Sequence, residues 1–201
     1  MTHVRLHHGQ VVTAFVATGL NIRHLYETRK LAFAYGARAI MFNRFNPGGR
    51  GRTHLHELLP SVEQVRDALT VAESASVEFG IPISCSIPIQ PCLIDTRAFP
   101  HLGLGYCAAG SERAYYTLDP LGNVRPCNHS TTILGNLFEA SFGELVSPKR
   151  LSGFVNALPT LCTTCEQRAV CQGGCKAAGQ VCNGSLDATE PFLRQGQSVH
   201  L

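Results

Sequence analysis

Nowhere in its 201 residues does the chain hold a run of eighteen apolar residues, the length that a membrane-spanning helix requires. Charge is sparse too: Asp, Glu, Lys and Arg make up 15%, and the net charge of +3 comes from scattered Lys and Arg, not from a basic run. Such a surface has no electrostatic footprint for nucleic acid or an anionic membrane. No internal repeat and no low-complexity stretch occurs. What remains is a hydrophobic fraction of 44%, enough for one good-sized domain, or for a piece of a larger one with a small module attached.

The apolar stretch VVTAFVATGL (11–20) follows a short His-rich start, the outline of a signal peptide. Two Thr interrupt it, however, and no A-x-A pattern follows. The expected compartment is the reducing cytoplasm, where close cysteines are more often metal ligands than disulfides.

The first ninety residues alternate strand and helix patterns. Val11 to Thr18 suits a buried strand, and Asn21 suits the cap of a helix that carries Ile22, Leu25, Tyr26, Ala32 and Phe33 on one face and stops at Gly36. ARAIMFNRF (37–45) is a second strand, followed by the turn NPGGRG (46–51). HLHE (54–57) is expected to be loop. Ser61 and Gln64 then form a capping-box pair for a helix through Val62, Val65, Leu69, Ala72 and Phe79, with Gly80 at its end. IPISCSIPI (81–89) alternates as a one-sided strand, with Pro82 and Pro88 placing it at a sheet edge. This order implies parallel strands with right-handed crossovers. Three such strands need neighbours, so residues 1–90 are expected to be part of a barrel or open sheet.

Beyond residue 90, glycine and cysteine become frequent. RAYYTLDPLGNVRPC (113–127) has the pattern of a hairpin around Asp119–Gly122, and Ser141 with Glu144 suits a helix cap. Seven of the nine cysteines follow: Cys107, Cys127, Cys162, Cys165, Cys171, Cys175 and Cys182. Four fall within CTTCEQRAVCQGGC (162–175). Short spacings let one turn present several thiolates, while distant cysteines close a cage by tertiary folding. Gly173 and Gly174 leave room beside a bulky group. Structural zinc, with His129 or His101 completing a second site, and a disulfide framework are the other readings of such a segment. Cys85 alone suits a buried apolar position on a strand.

Cys107, then fourteen residues to Gly122 and four more to Cys127, then C-x2-C-x5-C-x3-C and Cys182, resembles the cysteine signature of the SPASM domain, the C-terminal extension of radical SAM enzymes that mature peptides and proteins. The resemblance implies an α/β fold: the last strand-helix units of a partial (β/α) barrel in residues 1–90, a small cysteine-rich α+β domain in 91–190, and a polar tail in 191–201. It implies two 4Fe-4S clusters, one on Cys162, Cys165, Cys171 and Cys182, the other on Cys107, Cys127 and Cys175, with Cys92, His101 or an open iron position as the fourth ligand of the latter. Asn43 and Arg44, at the end of a barrel strand, would face the reaction chamber. Arg113, Arg125, Arg168 and Lys176 would offset thiolate charge.

The C-x3-C-x2-C loop that holds the S-adenosylmethionine cluster in radical SAM enzymes is absent. S-adenosylmethionine is therefore expected only in a complete enzyme. The implied partners are a peptide or protein substrate and an N-terminal radical SAM half or an electron donor. A stand-alone iron-sulfur electron carrier and a zinc-binding interaction module are the alternatives.

Overall fold

The computed structural model describes residue 4 and residues 7–197; the rest of the His-rich start, and residues 198–201 of the expected tail, lie outside the described residues. Strand β1 (Val12–Ala17) leads through a 3-10 turn, Ile22–His24, into helix α1 (Leu25–Ala34). Phe15, Ala17, Ile22, Leu25 and Ala32 are buried in the main core, whereas Tyr26 and Phe33 lie further out, against the ring of Phe79. Asn21 does not cap the helix as expected. Its side-chain oxygen accepts the Thr18 N–H and its amide donates to Val16 O, closing the loop before the helix instead.

Strand β2 (Ala39–Arg44) pairs in parallel with β1, Val12 opposite Ala39 through Ala17 opposite Arg44. The stretch 54–57, expected as loop, is helical: a 3-10 turn Gly49–His54 runs into α2 (Leu55–Leu58). Helix α3 (Val62–Phe79) opens on the capping box, in which Ser61 Oγ accepts the Gln64 N–H and Gln64 Oε1 accepts the Ser61 N–H. It buries Val65, Ala68, Leu69 and Ala72 and ends at Gly80, whose φ of 59° only glycine adopts at no steric cost.

Strand β3 (Ile83–Cys85) has Ile83 and Cys85 buried and Ser84 exposed. It is not an edge strand: β4 (Leu102–Leu104) pairs with it in parallel, and the sheet order is β1-β2-β3-β4. The sheet therefore runs past residue 90, and β1 and β4 are its edges. Two Pro near β3 are tolerated because both fall outside its three paired residues.

A second sheet is antiparallel: β5 (Thr117–Leu118), β6 (Asn123–Arg125) and β7 (Gly135–Asn136). Asp119 ties its first turn. Oδ1 accepts the N–H groups of Leu121 and Asn123, and Oδ2 accepts from Asn123 Nδ2 and Arg125 Nη2. These donors, the Asn123 side chain first, hold the Asp119 carboxyl down at about 2, against roughly 3.9 for a free aspartate. A carboxylate with a depressed folded pKa contributes its stability above about pH 4 and loses it as pH falls through about 2. Asp119→Asn is therefore expected to flatten the acid limb of a plot of Tm against pH between those values; an unchanged limb would show that the turn does not depend on the charge.

Behind this sheet lie α4 (Phe142–Leu145), opened by a Ser141–Glu144 capping box, and α5 (Pro148–Val155). Val124, Leu134, Leu145 and Leu151 form a separate small core there. The cysteine-dense segment contributes α6 (Arg168–Cys171) and α7 (Lys176–Asn183). The chain then returns to the parallel sheet as α8 (Pro191–Gln197). Phe192 and Leu193 are buried, Phe192 in the main core, so this part of the segment expected as a polar tail is packed helix. No helix among the described residues is long and apolar enough to cross a membrane.

Candidate metal centre

A cavity of about 690 Å³ opens where β2, β3 and β4 end, bounded by Asn43, Ser86 and Gly105 on the sheet side. Ligand sites of parallel α/β folds form at this end of the strands. The opposite wall carries Cys107, Cys127 and Cys175, drawn from three distant segments. Asn46 Nδ2–H donates to Cys175 Sγ at 3.4 Å, the His129 N–H donates to Cys127 Sγ at 3.3 Å, and the Tyr115 hydroxyl lies 3.7 Å from the same sulfur. Burial, followed by the charges of Cys127, Cys175 and Cys107, pushes the Tyr115 hydroxyl up. Burial pushes Cys175 up to about 12.

A second set of thiols acts on one another. The Cys162 thiol is raised to about 11 by burial and then by the neighbouring charges of Cys171, Cys165 and Cys92. Cys171 responds in the same way to Cys92 and Cys165. Lys176 is buried, donates from Nζ to Gln172 O at 2.9 Å, and is held below the usual lysine range by burial against the opposing pull of Cys107, Cys175, Cys171 and Cys162. Thiols of both groups thus act on its ammonium. Cys182 stands apart from them. It lines another cavity with Arg52, Leu55, Leu59 and Arg194, and the charges that act on it are those of Arg52, Glu190 and Arg194.

One buried carboxylate joins the cysteine segment to the sheet. Glu190 accepts Arg44 Nη2 at 2.6 Å on one oxygen, and the Cys175 N–H at 2.7 Å and the Gln90 side-chain amide on the other. Arg44 is 0% exposed, donates from Nε to Pro88 O and lies over the Phe192 ring. It does not line the cavity, whereas Asn43 does, with Oδ1 accepting from Ser86. Adjacent residues of a strand point to opposite faces, so only one of the two could face a chamber. His101 is also elsewhere, exposed and against Glu73. Arg125 pairs with Asp119, and Arg113 lines the cavity.

Residues 107–167 match the SPASM family, an iron-sulfur cluster-binding domain. The chain is thus similar to proteins of the radical SAM/SPASM type. The chain is 29% identical over 85% of its length to a PqqA peptide cyclase of Rhizobium meliloti and 28% identical over 90% to the mycofactocin maturase MftC of Mycolicibacterium smegmatis. It spans 46% of each, about half the length of these curated relatives. Its fold matches the AdoMet-bound anSMEcpe structure with a TM-score of 0.61 at 15% identity, covering 97% of this chain and 52% of that one. The AdoMet-bound anSMEcpe structure with Kp18Cys peptide gives 0.59 at 14% identity, covering 97% and 55%.

The donor set of the SPASM segment suits iron-sulfur ligation. All nine cysteines are free thiols, and soft thiolate sulfur is what iron-sulfur clusters bind. Gly173 and Gly174 take φ of 76° and 84° between Cys171 and Cys175, so the chain turns sharply enough to send these two thiols into different groups. Among the described residues, no three His, Cys, Asp or Glu side chains stand close enough to hold a metal ion as they are. Ligation itself draws such thiols in, because cluster binding and folding are coupled. Glu190, Gln90 and Tyr115 carry no local sequence signal. Arg44 carried an indirect one, since an arginine on a buried strand requires a buried partner.

Proposed function

We propose that the chain is the C-terminal part of a radical SAM/SPASM maturase of a peptide or protein, and that its SPASM domain carries two auxiliary 4Fe-4S clusters. The observation that carries this reading is the convergence of Cys107, Cys127 and Cys175 on one cavity at the C-terminal ends of the parallel strands. Residues 1–90, with β4, supply the partial barrel wall, and the segment from 91 to 190 supplies the thiols. The similarity to peptide cyclase and mycofactocin maturase supports a peptide as substrate, entering beside Asn43 and Arg113. Cytoplasmic thiols in the reduced state fit this chemistry.

A bound cluster would supply an electron acceptor or an iron position for substrate. The protein's own part would be to hold and tune it: hydrogen bonds from Asn46 and His129 to ligand sulfur, and the charge of Lys176, would raise the reduction potential. The chain has no C-x3-C-x2-C loop and by itself would not cleave S-adenosylmethionine; a radical SAM half must supply that step. Edge strand β1, with Val12 and Val16 exposed, suits pairing with such a half, because an uncovered apolar edge is a template for another strand. Anaerobic reconstitution followed by iron, sulfide and zinc analysis tests the reading. About eight irons and eight sulfides per chain are expected for two cubanes; stoichiometric zinc without sulfide would overturn it in favour of a zinc-binding interaction module.

A further inference from the structure

We propose that the cavity where the 3-10 turn after β2 meets the end of α7 and the start of α8 binds a small organic anion, a carboxylate on an apolar body, with Arg52 and Arg194 taking the charge. No residue lines both this cavity and the one that holds Cys107, Cys127 and Cys175. The site is therefore independent of the iron-sulfur reading.

The cavity measures about 500 Å³, within the range of small-molecule sites. Segments distant in sequence wall it, and side-chain bonds tie each to the next. Arg52 Nη1 donates to Val181 O at 3.0 Å, which joins the turn after β2 to α7. Asn183 Nδ2 donates to Thr189 O at 2.8 Å, which joins the end of α7 to the approach to α8. Gln195 accepts the Val62 N–H and donates to Pro60 O, both at 3.2 Å, which joins α8 to the start of α3. The space is thus built into the seam between the sheet and the cysteine segment, and is already formed before a ligand arrives.

Its charge is of one sign. Arg52, His56 and Arg194 line it, and no Asp or Glu does. Glu57, next to His56 in sequence, is engaged with His54 and His56 at 3.9 and 3.3 Å, and Glu190 is buried against Arg44. Arg44, Arg97 and Arg125 each pair with a carboxylate, whereas among the described residues neither Arg52 nor Arg194 does. A guanidinium presents its N–H groups as a fork that matches a carboxylate. Two such forks on one cavity without an acidic neighbour are a receptor for an anion. Leu55, Leu59 and Pro191 complete the wall, so a ligand with a hydrocarbon body covers apolar surface that a bare inorganic anion would leave wet. Because Arg52 follows β2 and Arg194 belongs to α8, a bound carboxylate would brace the two segments against each other.

The test uses the full chain, with hexanoate as probe and acetate, 1-hexanol and inorganic phosphate as controls. In an NMR titration hexanoate is expected to bind saturably, and to raise Tm, at concentrations where the three controls do neither. Arg194→Gln breaks no hydrogen bond or ion pair among the described residues, and its Tm without probe checks that it is folded. It is expected to weaken hexanoate about tenfold, the loss of one charge-assisted hydrogen bond. Cys182 lines the cavity and Cys92 is exposed, which gives a second readout in the chain before iron and sulfide are added. The ratio of alkylation by iodoacetate, an anion, to alkylation by neutral iodoacetamide should be higher at Cys182 than at Cys92, and hexanoate should lower it. Acetate, 1-hexanol or phosphate binding as tightly as hexanoate, full affinity in Arg194→Gln, or equal ratios at the two cysteines each overturns the assignment. None of these outcomes bears on iron and sulfide content, so the iron-sulfur reading stands or falls separately.

Discussion

Glu190→Ala is expected to cost the full chain ~3–5 kcal/mol, the usual price of leaving one member of a buried ion pair unpaired. In urea this is a midpoint lowered by about 2 M for a slope near 2 kcal/mol per M. The size follows from what the carboxylate serves. Arg44 is 0% exposed and its Nη1 already lacks a partner, so losing Glu190 leaves a charged guanidinium with only Pro88 O and the face of Phe192. The Gln90 amide and the Cys175 N–H lose their acceptor in the same stroke, and each buried unsatisfied donor costs about 1–3 kcal/mol. A double variant, Arg44→Met with Glu190→Gln, separates charge from shape. It removes both charges, keeps an acceptor for Cys175, and is expected to recover most of the loss. A single variant that unfolds within 1 kcal/mol of wild type would mean that the pair is not closed.

This pair also shows where sequence legibility stops. The strand-helix alternation, the two capping boxes and the hairpin at Asp119 are local, and each is written in a few neighbouring residues: Ser61 with Gln64, Ser141 with Glu144, Asp119 with Gly122. Strand β4 escaped because Leu102–Leu104 is three residues long, too short for alternation to register. Helix α8 escaped because Phe192 and Leu193 are two apolar residues in a polar stretch. At the site, Cys107, Cys127 and Cys175, which the family resemblance groups, line one cavity. Cys182 lines another cavity and Arg44 is buried against Glu190, since which way a helix end or a strand face points is decided by packing between distant segments. Glu190 lies 146 positions from Arg44, and no periodicity connects them.

The turn between Cys171 and Cys175 is the second place where a single change should act strongly. Gly174 has φ 84°, and a Cβ there would collide with Gln90 Nε2 and Glu190 Oε1. Both of those side chains are buried and committed to the Arg44 network, so neither is a loose end that can move aside. Gly174→Ala therefore combines a left-handed backbone, about 1–2 kcal/mol for a residue with a Cβ, with overpacking worth about 1–3 kcal/mol. Two other glycines divide the sum. Gly184→Ala keeps a positive φ of 85° with nothing within 4 Å, so it should show the backbone cost alone. Gly153→Ala, inside α5 with open space around it, should stabilise by up to ~1 kcal/mol. The expected order of denaturation midpoints is Gly153→Ala, wild type, Gly184→Ala, Gly174→Ala, and only the last should also lower iron uptake, because it alone moves the turn that sends Cys171 and Cys175 to separate groups of thiols. If Gly174→Ala and Gly184→Ala unfold alike and load iron alike, Gln90 and Glu190 do not press on that turn, and the link from sheet to cysteine segment is looser than the geometry shows.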